Sequence, residues 1–99
     1  MYRATAAFPR EEQFGLTSQI RRASVSVASN IVEGCARSTE ADYLRFLDMA
    51  YASAMEVAYQ LDLAHRLGYL SDDSFEDLRA QGQETAKVLG GLIRSLRKK

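Results

Sequence analysis

The run Leu16–Arg37, "LTSQIRRASVSVASNIVEGCAR", decides how the chain folds. Set on a helix at about 100° per residue, it separates into two sides. Leu16, Ile20, Ala23, Val27 and Ile31 share one arc, and Val25, Ala28, Val32 and Cys35 extend the apolar surface around it. Opposite them, Arg22, Ser26, Asn30, Glu33 and Arg37 follow at spacings of four, four, three and four. Side chains three and four apart are neighbours on a helix, so these five form a line. The run reads as an amphipathic helix over 17–36, with Thr17 or Ser18 as its cap.

The neighbouring segments take the same form. "RSTEADY" restarts a helix, with Thr39 and Asp42 spaced like a capping box. It runs over 40–67, and Gly68 closes it. Ser71 or Ser74 caps a last helix over 72–96, which ends in the basic tail Arg97, Lys98, Lys99. Phe75, Leu78, Gly82, Thr85, Leu89, Leu92 and Leu96 mark a heptad-like seam along it. The long middle helix has three apolar seams, one through Leu44, Leu47 and Tyr51, one through Tyr43, Phe46 and Val57, and one through Met55, Tyr59 and Leu63. A helix apolar on most sides needs neighbours on most sides, which points to self-assembly. Residues 1–7 read as the last turns of a helix, and "FPREEQFGLT" as a connector, because a residue before proline avoids the helical region.

Composition bounds the rest. The chain has 99 residues, enough for one domain over 1–99, with 46% hydrophobic and 26% charged residues. Thirteen basic residues balance thirteen acidic ones, so no global charge draws the chain to nucleic acid, and any such role needs a local patch. One cysteine, Cys35, permits no internal disulfide, and "MYRATAAFPR" lacks a signal-peptide pattern. No apolar run approaches the roughly 18 residues of a membrane span, so a cytoplasmic location is expected.

The line Arg22, Ser26, Asn30, Glu33, Arg37 is the candidate site. It reads first as a hydrogen-bonded network between helices or subunits, Glu33 answering Arg37, because buried polar groups must be paired. Binding of an external partner and catalysis by Glu33 with Cys35 are the competing readings. No second carboxylate, activated serine or histidine lies within a turn to complete an acid–base or nucleophile set. Cys35 is expected to be a small buried apolar residue. His65 is expected at the surface or capping its helix, in preference to joining Glu56 and Asp62 as a metal ligand. The five tyrosines are expected to pack with their hydroxyls at an edge. Arg21, Arg22, Arg37, Arg45, Arg97, Lys98 and Lys99 are the candidate phosphate contacts.

The run "FPREEQFGLTSQIRRASVSVASNIVEGCAR" resembles the signature region of the 23S rRNA-intervening-sequence proteins. The pattern is met by Phe8, Pro9, Glu12, Phe14, Gly15, Leu16, Gln19, Arg22, Ala23, Ser26, Asn30, Ile31, Glu33, Gly34 and Arg37. Val32 stands where the pattern commonly has alanine. "YLRFLDMAYASAMEVAYQLDLAHRLGYL" resembles the family's long third helix, and the chain is also similar to the accessory protein of diversity-generating retroelements. The resemblance implies an all-α, up-and-down four-helix-bundle fold. Since "MYRATAA" matches only the end of the family's first helix, three full helices and a stub are expected. The resemblance also implies a ring-like homo-oligomer, a pentamer, with no cofactor and no small-molecule substrate. The function expected is that of a non-enzymatic homo-oligomeric scaffold. The alternative is an RNA- or DNA-binding accessory protein, in which a ring multiplies weak basic patches.

Overall fold

The computed structural model describes residues 1–12 and 15–98. Among them are four α-helices and no strand: α1 (Tyr2–Ala6), α2 (Leu16–Cys35), α3 (Glu40–Arg66) and α4 (Asp72–Arg97), with a 3-10 turn at Arg10–Glu12 between α1 and α2. Three helices of 20, 27 and 26 residues and a five-residue first helix match the expected bundle with a short α1. Helix boundaries fall within one residue of those read from the sequence.

Local chemistry sets the ends. Thr39 caps α3, its hydroxyl accepting from the Asp42 amide at 3.2 Å, and Ser71 caps α4 by accepting from the Ser74 amide at 3.1 Å. Gly68 follows α3 at φ +80°, the left-handed conformation in which a Cβ is strained. The start of α2 departs from expectation. Its cap residue is Gly15, Thr17 is buried inside the helix, and a Glu12 carboxylate oxygen accepts from the Leu16 amide at 3.0 Å. A side chain four residues back does the work assigned to Thr17 or Ser18. Phe14 of the signature lies outside the described residues, as does Lys99.

The chain goes up and down three times in a body of 45 × 23 × 16 Å, with α3 packed between α2 and α4. Its core has two parts. At one end Phe8, Ile20, Ala23, Val57, Leu61 and Leu70 pack together, with Leu16 and Ala64 beside them. At the other, Leu47 and Ala50 of α3 meet Leu89 and Ile93 of α4 and the half-buried Val27 and Ile31 of α2. The arc Leu16, Ile20, Ala23 of α2 is buried as expected. Its extension is not, because Val25, Ala28, Val32 and Cys35 are exposed. On α4, Leu89 and Ile93 are buried while Thr85 and Leu92 face out, so the packed side is rotated toward Ile93 relative to the seam read from the sequence.

Candidate functional site

The polar line on α2 divides into a seam against α3 and an exposed end. Ser26 and Ser53 of α3 share a hydrogen bond of 2.9 Å. The Asn30 amide nitrogen donates to the Ser26 carbonyl at 2.9 Å and to the Ser26 hydroxyl at 3.0 Å. One turn on, Gly34 lets the helices close. A Cβ there would stand 3.0 Å from Phe46 Cβ and 3.1 Å from a Tyr43 ring carbon. Ser26, Asn30 and Gly34 thus form a stride-of-four strip on which α3 rests.

The charged members lie outside that seam. Arg37 donates to the Glu33 carboxylate and to the Glu33 carbonyl, both at 3.0 Å, on the surface. Arg22 donates to the Ser18 hydroxyl at 3.0 Å. A cleft of about 240 Å³ runs beside Arg22 and Ser26, with Gln19 and Glu56 on its walls. Behind it Gln60, only 4% exposed, donates to Glu56 at 3.3 Å while its carbonyl oxygen has no partner. Gln60 was not legible as a site residue, since its position on an apolar-rich helix carries no motif.

The basic candidates do not share one patch. Arg21 is held at the start of α2, donating to the Thr5 hydroxyl at 2.8 Å and the Tyr2 carbonyl at 3.4 Å with its guanidinium over the Tyr2 ring. Arg37 and Arg45, some 24 Å further along the bundle at 1.5 Å per residue, both lie over Phe46, at 5.2 and 5.0 Å from its centroid. Arg45 is 3.9 Å from Asp42. Arg97 bonds Asp48 across from α4 to α3, and Lys98 is exposed.

Cys35 is exposed, against the expectation of burial, at the rim of a shallow depression of about 380 Å³ with Arg37, Tyr43 and Leu96. The helix ends there, and α3 packs against Gly34 on another side of that turn, leaving the thiol uncovered. Glu33 is held by Arg37 and does not join it. His65 meets Asp72, the first residue of α4, at 2.7 Å and stacks on Phe75 with the rings 5° from parallel and 4.1 Å apart. Asp62 pairs instead with Arg66, and among the described residues no three metal-ligating side chains come together. The Tyr69 hydroxyl reaches Glu12 at 3.5 Å; burial, then the Glu12 charge, push its pKa above the ordinary 10.0.

Between α3 and α4 lies a larger groove of about 520 Å³, floored by Val57, Leu61 and Leu78 and opened by the small residues Ala58, Gly82 and Ala86. Gly82 belongs to the seam read from the sequence, but a seam of small residues is read as close packing unless the neighbour's position is known.

A helical bundle with a hydrogen-bonded α2–α3 seam is the class these features define. The profile of the 23S rRNA-intervening sequence proteins matches residues 1–91, and the chain belongs to that family. It is similar to a crystal structure, at 1.70 Å, of a protein of unknown function from the S23 ribosomal protein family of Bacteroides thetaiotaomicron. The TM-score is 0.83 and the identity 27%, over 93% of this chain and 83% of the other. A comparison with curated proteins gave no significant match. Among the described residues no helix is long and apolar enough to cross a membrane.

Proposed function

We propose that the protein is a non-enzymatic, self-assembling helical scaffold. The observation that carries this reading is the outer surface of α3, where Tyr51, Met55 and Tyr59 stand exposed at a stride of four, Tyr59 to 68%. A large apolar stripe left in water by its own bundle is the mark of an interface. Repetition of one such contact around an axis closes a ring, and the family resemblance favours a ring of five. One reactive candidate supports a non-catalytic role: the Glu33 carboxylate is ion-paired to Arg37 at 3.0 Å. Sedimentation equilibrium at physiological salt tests the reading. The wild-type chain is expected at a multiple of its 11.1 kDa mass, and Tyr59→Glu at a lower one. A wild-type monomer would overturn it.

The second reading, nucleic-acid binding, is favoured by one observation, the two guanidiniums gathered over Phe46. Arg37 and Arg45 there bring two cations to one aromatic ring, groups suited to phosphates and bases. Binding of a structured RNA that falls steeply with salt and is lost in Arg37→Glu/Arg45→Glu supports it. Binding unchanged in that variant removes it.

A further inference from the structure

The outward face of α4 carries a charge pattern that the fold does not use. Starting at Asp73, positions at strides of four and three run down this face to Lys98, an 8-position strip. At 1.5 Å per residue it is about 37 Å long. Its first half holds Asp73, Asp77 and Glu84; its second half holds Lys87, Arg94 and Lys98. The remaining two positions are Ala80 and Gly91. All six charged residues are exposed, and none makes an ion pair with another described residue, although Glu84 and Lys87 are only three apart. Asp77 accepts only from Gln81, at 3.1 Å. The pairs that do form around it, Glu76 with Arg79 and Arg97 with Asp48, lie off the strip.

The order of these residues is self-complementary. Turned end for end against a copy of itself about the midpoint between Thr85 and Ala86, the strip sets Asp73 opposite Lys98, Asp77 opposite Arg94 and Glu84 opposite Lys87. Ala80 falls opposite Gly91, about 8 Å to either side of the midpoint, so small meets small where no charge is matched. Matching acids to the N-terminal turn and bases to the C-terminal turn favours any helix through its dipole. That effect accounts for Asp73 and Lys98. It does not reach Glu84 and Lys87 in the middle, and it imposes no common midpoint.

We propose that α4 is a twofold docking surface for a second copy of this chain, the two helices antiparallel and joined by three kinds of ion pair, each made twice. The contact is isologous; Lys87 and Arg94 border the α3–α4 groove beside Tyr51 and Met55, so it adjoins the apolar α3 surface of the preceding reading without including Tyr59. Exposed ion pairs are individually weak and screened by salt, so the association is expected to depend on ionic strength.

Sedimentation velocity of the full chain at low and high salt tests this. The wild type is expected to gain a twofold association at low salt that weakens by about tenfold or more at high salt. Glu84→Lys, which puts four cations around the midpoint, should abolish that step, and Glu84→Lys/Lys87→Glu should restore it. Both sites are exposed, and circular dichroism checks that the helices persist. In a Cys35→Ser background, Ala80→Cys/Gly91→Cys should form a disulfide-linked dimer and Ala80→Cys alone should not; Gly91 has open space for the new side chain. A wild-type chain without the low-salt step, or one indifferent to Glu84→Lys, overturns the proposal. An assembly moved by Tyr59→Glu but not by Glu84→Lys overturns the α4 contact alone, and the reverse outcome overturns the α3 surface alone.

Discussion

Ser26 of α2 and Ser53 of α3 meet hydroxyl to hydroxyl at 2.9 Å, and Asn30 donates to the same Ser26 oxygen. A three-residue polar contact sits inside the crossing of two otherwise apolar helices. Removing one member leaves the others half-buried with fewer partners. Ser26→Ala is expected to lower stability by about 1 kcal/mol. Ser53→Ala should cost about the same, and the double variant less than the sum. Urea unfolding of the four proteins measures the coupling; strictly additive losses would mean the hydroxyls do not interact.

Two glycines should respond in opposite directions. At Gly34 a methyl group would press on Phe46 Cβ at 3.0 Å, and neither helix can retreat without opening the seam. Gly34→Ala is expected to destabilise by about 1–3 kcal/mol. At Gly82 no atom lies within 4 Å of the added Cβ. Gly82→Ala should raise stability by roughly 0.5–1 kcal/mol, the helix propensity gain. Thermal denaturation of both variants checks the signs.

The two core clusters make truncation expensive. Ile20 is fully buried and Leu47 is 1% exposed. Ile20→Ala or Leu47→Ala is expected to cost about 2–5 kcal/mol, since each removes apolar burial and leaves a cavity. In a chain of this size that is a large share of the whole stability. Denaturant midpoints report it directly, and a loss below about 1 kcal/mol would contradict the assigned burial.

Alkali should loosen the fold through Tyr69. Its pKa is raised in the folded chain, by burial first and then by the Glu12 carboxylate, so the fold holds the phenol proton more tightly than the unfolded chain does. The sign follows: the contribution is intact below the ordinary value of 10.0 and fades as the pH climbs past it. Tyr69→Phe cannot ionise, and its stability should fall less between pH 9 and 11 than that of the wild type. Equal slopes for the two proteins would refute the assignment.

The sequence made the helices and most caps legible because those signals are local. Thr39 with Asp42, Ser71 and Gly68 each act within four residues of themselves. Where the reading departed, a partner distant in space or off the expected spacing was responsible. Glu12 displaced Thr17 and Ser18 as the cap of α2, its carboxylate accepting from the Leu16 amide four residues on. Cys35 and Val32 shared the wheel's apolar sector, but a wheel cannot say how far the neighbouring helices extend. The candidate line on α2 was visible as a line. Its division into a strip of half-buried Ser26 and Asn30 with buried Gly34, and a surface Glu33–Arg37 pair, depended on where α3 lies. The gathering of Arg37 and Arg45 on Phe46 likewise joins two helices that the sequence leaves unordered in space.

The two core clusters sit at opposite ends of α3, bridged by small residues such as Ala54. Such a molecule is expected to breathe from its ends independently. The final turns of α4, held by Leu89, Ile93 and the Arg97 bond to Asp48, can detach while the Ile20 and Leu61 end stays closed. Amide hydrogen exchange would then show two protection levels along one continuous helix, and a frayed α4 would present its charged strip as a loose arm ahead of any rigid docking.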